Sequence, residues 1–335
     1  MKKVVAFVLA LCMAFTLVAC GGTATDDPAN SENNNQKQTI EFITGTQGGA
    51  YYIMASAIAS LMEQYSDTYT VSVVSSSAVT IETILKLQEG TSQAGFAVSG
   101  QVYGAYTGNP DETTAQMVPG QCEKLRLLAG SHSGEIHLIV KDKSGIETVD
   151  DLAGKKISVS AVGTGANIEM IRLLRVMGLD GKYTPINSSM QESVDALKDG
   201  AVDVAQVTSG WPAAVVQDVT SSNIGVHFFQ IPEDIIDACI AEAPYLMKTT
   251  IPAGTYQGQD EDLVTLSIPN AIYVSADTPD EVVTALCQII FEHYDELCAT
   301  YAQFASYTVE NTLVASNAVP LHPAVEAYFA ANGLA

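Results

Sequence analysis

One local plan occurs twice in this chain, and that repetition limits the fold more than any other feature. A strand pattern over residues 39–44 runs into a glycine-rich turn, Gly45-Thr46-Gln47-Gly48-Gly49, and then into helically spaced apolar residues at Ile53, Ala57, Leu61 and Met62. Further on, a strand pattern over 156–160 runs into Gly163-Thr164-Gly165 and a helical spacing of Ile168, Ile171 and Leu174. Gly49-Ala50-x-x-x-Met54 returns as Gly165-Ala166-x-x-x-Met170, and Leu87-x-x-Gly90 with Ser99-Gly100 returns as Leu197-x-x-Gly200 with Ser209-Gly210. Matched glycines alone are weak, because glycine marks turns everywhere. Element order at near-constant spacing predicts two related lobes, and a period this long indicates duplicated domains and not a solenoid.

Further strands are expected over 69–74, 93–98 and 202–207, and helices over 81–88 and 194–198, with Gly200 as a C-cap. Strands alternating with helices predict an α/β fold with a parallel sheet flanked by helices. Beyond Pro252, a polar glycine-containing stretch leads to residues 263–274, whose alternation breaks at Pro269. Asp277-Thr278-Pro279-Asp280-Glu281 combines a cap residue, a helix-initiating proline and first-turn acids, predicting one long helix to about Tyr301. Pro320-Leu321-His322-Pro323 introduces a last helix. The chain is expected to cross between lobes near 131–140 and return near 260–275. Lobe I would then comprise 39–132 with 268–335, braced by the terminal helices, and lobe II 133–267.

The N-terminus reads as a secretory signal over 1–19: Lys2 and Lys3, then an apolar stretch over 4–18. That stretch is short for a membrane span, which needs about 20 residues, although a true anchor is the alternative. Leu17-Val18-Ala19-Cys20 resembles the bacterial lipobox, so Cys20 is the expected lipidation site, and two acyl chains suffice for stable anchoring. Residues 21–38 hold no large apolar side chain and are expected to be a flexible tether.

The formal charge of −23 argues against nucleic-acid binding, which wants a basic face, and reads chiefly as solvating surface. Cys122, Cys239, Cys287 and Cys298 lack metal-site spacing and are expected to be buried free thiols. The five histidines, His132, His137, His227, His293 and His322, are scattered, with no metal or catalytic motif around them.

The two glycine loops carry the functional signal. Each follows a strand and opens a helix, where backbone N–H groups bind anions, at the strand ends where ligands of open α/β sheets sit. Thr44, Thr46, Ser160 and Thr164 add hydroxyls there, and Ser99 and Ser209 end neighbouring strands. Turn formation alone is the alternative. Neither loop is a nucleotide motif: the first lacks the P-loop lysine, and the second is too short. Trp211, the single tryptophan, is either core or a wall of the ligand cleft. Glu169 falls in the first turn of its helix, where a carboxylate suits the dipole. Arg172 and Arg175 lie away from the helix N-terminus, so backbone amides and hydroxyls would do most of the holding of a carboxylate ligand.

Phe42-Ile43-Thr44-Gly45-Thr46-Gln47-Gly48-Gly49-Ala50-Tyr51-Tyr52 resembles the opening motif of TAXI-type solute receptors of TRAP transporters. The similarity continues through Leu125-Arg126 to residue 140, Ser144-Gly145-Ile146 with Asp151-Leu152-x-Gly154-Lys155, residues 159–165, Gly210-Trp211-Pro212 and Pro320-Leu321-His322-Pro323. The resemblance implies a two-lobed type II periplasmic-binding-protein fold. It also implies ligands such as glutamate, 2-oxoglutarate or other small carboxylates, and an integral-membrane permease driven by an ion gradient without ATP. Carried over by position, Gly45, Gly48, Gly49 and Tyr51 match the family's first binding loop, Ser99 its second, and Gly163, Thr164 and Gly165 the loop of the opposite lobe. The chain departs from the family at Gln47, where glycine or serine is usual, and at His132 and Gly134, where tyrosine and glutamate are often seen. Those departures leave the ligand open.

The expected protein is therefore a monomeric extracytoplasmic solute-binding lipoprotein, with no cofactor, no metal and no catalytic residues. Its ligand-binding candidates are Thr44, Gly45, Gln47, Gly48, Gly49, Tyr51, Ser99, Ser160, Gly163, Thr164, Gly165, Ser209 and Trp211. One rival is a binding protein serving an ATP-driven importer or a sensor, on the same fold. The other is an enzyme using Ser, His and Glu in the cleft, which would need a strained nucleophile turn beside a histidine.

Overall fold

The computed structural model describes residues 37–110 and 112–334. The signal segment, Cys20 and the tether up to Gln36 lie outside the described residues. In chain order the elements are β1 (Gln38–Thr44), α1 (Ala50–Tyr65), β2 (Tyr69–Ser75), α2 (Val79–Glu89), β3 (Ala94–Val98), α3 (Ser99–Thr107), α4 (Glu112–Met117) and β4 (Leu125–Lys141). There follow β5 (Lys156–Ser158), α5 (Gly165–Val176), β6 (Thr184–Ile186), α6 (Met190–Asp199), β7 (Val204–Ser209), α7 (Ala214–Thr220), β8 (Val226–Phe228), α8 (Glu233–Glu242) and β9 (Met247–Ile251). The chain closes with β10 (Leu263–Ser275), α9 (Asp280–Cys287), α10 (Tyr294–Thr300), α11 (Val309–Ala315) and α12 (Pro323–Ala331).

The strands hydrogen-bond in the order β2-β1-β3-β10-β4-β7-β5-β6, with β8 added on β4 and β9 on β10. The two halves of that order correspond: β2-β1-β3 are parallel, β6-β5-β7 are parallel, and each triplet is flanked by one antiparallel strand, β10 or β4. The sequence repeat is thus a structural repeat. Gly48 and Gly163 take positive φ of 83° and 81° before α1 and α5, and Gly90 and Gly200 stop α2 and α6 at 74° and 75°. A side chain would strain all four.

α1 buries Ala57, Leu61 and Met62 as their spacing predicts, with Ile53 half-buried. α5 is turned from its predicted face: Leu174 is buried with Met170 and Leu173, Ile168 is half-buried and Ile171 is 45% exposed. β10 differs again. Its residues are buried on both faces because it lies between β3 and β4, so alternation is weak along it. The break at Pro269 is a register slip against β4 between Pro269 and Ala271, as expected where proline cannot donate to the ladder.

Several expectations are corrected. The long helix after Pro279 is not continuous: α9 passes into a π-turn at Gln288–Glu292, and His293 leaves helical geometry before α10 begins. The wider turn keeps Ile289 and Ile290 both buried, and the His293 ring stacks on Tyr65 with centroids 3.7 Å apart. Ser99 does not end a strand but opens α3, a helix whose glycines and tyrosines gave no periodic signal. Cys122, Cys239 and Cys287 are free and buried, whereas Cys298 is only half-buried.

Candidate functional site

The halves join through β4 and β10, which pair antiparallel from Leu125 opposite Ser275 to Glu135 opposite Ser267. Beside this crossover lies a cleft of about 260 Å³. Val98 and Asn270 line it from one half, and Gly165, Ala166, Thr208, Ser209 and Gly210 from the other. Gly134, Ile268 and Gln303 complete the lining, which contains no charged side chain. Thr164 caps α5 by accepting the Asn167 N–H at 3.2 Å. The first-turn amides of Gly165 and Ala166 have no acceptor within the helix, and both residues face the cleft. Donors without countercharge at a helix N-terminus suit a small anionic group.

The sequence-derived candidates divide around this cleft. Gly165 and Ser209 line it. Ser160 takes a left-handed φ of 60° and donates to Gln206 Oε1, while Gln206 Nε2 donates to Thr208 Oγ1, so Ser160 supports a cleft hydroxyl from behind. Gly163 and Thr164 form the turn and cap of α5. Tyr51 reaches the cleft wall indirectly: its phenol donates to Asn270 Oδ1 at 2.6 Å and its ring lies flat on Phe96 at 4.8 Å. Burial, and secondly the neighbouring Tyr273, hold that phenol well above the usual tyrosine pKa, so it remains a donor. Thr44 is fully buried, and its Oγ1 has no hydrogen-bond partner among the described residues. Ser99 accepts the Tyr273 hydroxyl at 2.9 Å. Gly45, Gln47, Gly48 and Gly49 are absent from the cleft lining; Gln47 and Gly48 face solvent. Trp211 is 41 % exposed, outside that lining, and joined to Pro212 by a cis peptide bond.

Sequence reasoning missed Asn270, Thr208 and Gln303, which stand in no motif; only the broken alternation at Pro269 marked the neighbourhood of Asn270. It also missed the brace behind the cleft. His137 is fully buried, with Nδ1 at 3.0 Å from the Glu135 carbonyl and 3.3 Å from the Val207 carbonyl. Two carbonyls there require a protonated Nδ1, which leaves Nε2 to accept from the Tyr256 hydroxyl at 3.0 Å. Tyr256 accepts in turn from the Ala213 N–H at 3.1 Å. Burial pushes His137 down to about 4, so the ring is neutral. The three backbone groups held this way belong to β4, to β7 and to Ala213, which follows the Gly210-Trp211-Pro212 turn; β4, β7 and Gly210 each supply residues to the cleft lining.

A second cavity, of about 230 Å³, lies between α3 and α5. Glu169 lines it and lies just past the first turn, because α5 begins at Gly165 and not at Asn167. Its carboxylate accepts from Arg172 Nε at 2.9 Å and from the Tyr245 hydroxyl at 2.7 Å. Among the described residues no cluster of His, Cys, Asp or Glu is arranged to hold a metal ion, and no helix is long and apolar enough to cross a membrane.

The fold is similar to that of a periplasmic sulfonate-binding protein SsuA from Methylobacillus flagellatus KT, described as part of a putative sulfonate ABC transporter. The two share 14% identity over 89% of this chain and 88% of that one, with a TM-score of 0.50. It is similar to a TctC solute binding protein from Polaromonas at 13% identity, over 84% of this chain and 97% of that one, again with a TM-score of 0.50. At such identity the likeness is one of fold, the α/β arrangement of periplasmic binding proteins. Residues 42–333, from within β1 to beyond α12, match the NMT1-like family, and the chain therefore belongs to the NMT1-like family.

Proposed function

We propose that this protein is an extracytoplasmic solute-binding protein that closes two lobes on a small organic anion and hands it to a membrane importer. The lobes are 39–132 with 268–335, and 133–267, hinged where β4 and β10 cross. Export through the signal and tethering by a lipidated Cys20 complete the reading. The observation that carries it is the uncharged cleft of about 260 Å³ lined by Gly165 and Ala166 at the start of α5 and by Thr208, Asn270 and Gln303. That donor set serves a carboxylate of glutamate, 2-oxoglutarate or dicarboxylate type. Ligand that touches both halves only when they close would shift the open–closed population by its differential affinity.

For the delivery partner, an ATP-driven importer is the first reading, supported by the description of the Methylobacillus relative. An ion-driven TRAP permease is the second, supported by the motif at residues 42–52. Isothermal titration of the mature protein against amino acids, 2-oxo acids, dicarboxylates and alkanesulfonates should give heat with at least one member. Silence across the panel would sink the anion reading. Uptake of the bound solute by cells then separates the partners: ATP depletion at a maintained ion gradient stops only the first, and a protonophore at maintained ATP only the second.

A further inference from the structure

Two cavities between the halves share one pair of residues in their walls. Val98, at the end of β3 and directly opposite Asn270 in the ladder, meets Gly165 at the start of α5. A Cβ on Gly165 would lie 2.9 Å from Val98 Cγ1, so glycine is required for this approach. Both residues line the uncharged cleft, and both also line the second cavity of about 230 Å³. Chemistry differs on the two sides of the wall. Beyond it stand Gln101, Tyr245 and the Glu169–Arg172 pair, whose guanidinium also donates to the Tyr245 hydroxyl at 3.2 Å.

We propose that Val98 sets the longest ligand the cleft admits, and that the cavity behind it is a latent polar subsite which a smaller residue at 98 opens. The proposal rests on the cleft being the ligand site. A ligand lies with its anionic group at the Gly165 and Ala166 amides, and a chain growing from that group runs into the valine methyls. Removing them joins two cavities of similar size and gives a distal polar end access to Gln101, Tyr245 and Arg172.

Two measurements test this. Titration of wild type, Val98→Ala and Val98→Ile with straight-chain dicarboxylates and alkanesulfonates of increasing length should show a break in affinity of about tenfold or more at the first member too long for the cleft, the size expected for one surplus methylene in a closed site. Val98→Ala should move that break to longer chains, and Val98→Ile should move it to shorter ones. A break at the same length in all three proteins overturns the proposal. A crystal structure of Val98→Ala does not depend on the ligand: one continuous cavity is expected, and two separate ones overturn the partition. If neither series binds wild type, the dicarboxylate and sulfonate readings fail by themselves, and the crystal structure still decides the role of Val98.

Discussion

Acidification should weaken this protein in part through one buried ring, and replacing that ring should remove that ring's share. His137 has its pKa lowered from 6.5 to about 4 by burial, with the two carbonyls at Nδ1 opposing only in part. Because the folded state disfavours the proton, the unfolded state binds it first as pH falls. The stabilisation is complete above pH 6.5 and is lost as pH falls from there through about 4. At about 1.4 kcal/mol per unit, the gap corresponds to roughly 3 kcal/mol, most of it lost between about pH 7 and about pH 4.5. His137→Gln gives up the ring's hydrogen bonds and should cost about 1–3 kcal/mol at neutral pH. It should also reduce the pH dependence, since glutamine does not titrate, leaving the share of His322 and the hydrogen-bonded carboxylates. Urea unfolding followed by circular dichroism, at matched pH values for both proteins, measures this directly. Wild type should lose about 2–3 kcal/mol more than the variant across the window, with similar urea slopes. Parallel curves would refute the reasoning, because they would mean that His137 is protonated without penalty and that water enters the Tyr256–Ala213 brace.

Three other outcomes follow from particular contacts. Gly130→Ala would place a Cβ 2.7 Å from the Asn311 carbonyl oxygen, on backbone that α11 cannot easily move; a loss of about 1–3 kcal/mol in urea unfolding is expected, and an unchanged midpoint would show that α11 floats on β4. Tyr245→Phe removes a donor from Glu169, which is 3% exposed, and should cost about 1–3 kcal/mol; no loss would mean that solvent replaces the hydroxyl. Burial pushes the Cys239 thiol up to about 11 and Cys287 up to about 12. Iodoacetamide at about pH 8 should therefore modify half-buried Cys298 well before either, and equal labelling rates would show that the helices carrying them open readily.

The repeat was legible because its parts are local. Alternation at Ile40 and Phe42, helical spacing at Ala57 and Leu61, and the glycines that stop α2 and α6 each express backbone geometry within a few residues. The corresponding half-sheets β2-β1-β3 and β6-β5-β7 follow once those units exist. Glu169 shows where such reading fails. Its helical position was nearly right, but its partners are Arg172 and Tyr245, and no local rule brings residue 245 to residue 169.

The cleft belongs to that second kind of information. The sequence determined that two strand–loop–helix units are present, and that their glycine loops precede helix N-termini. Only the tertiary structure decided that Asn270 faces Val98 and Gly134 stands opposite Ile268. It also decided that Gly165, and not Gly45 or Gly48, lines the cleft. These neighbours meet because β4 and β10 pair across more than a hundred intervening residues. Pairing of that range is selected by burial of both strands in one sheet, a property of the whole chain that leaves no periodic trace at any one residue.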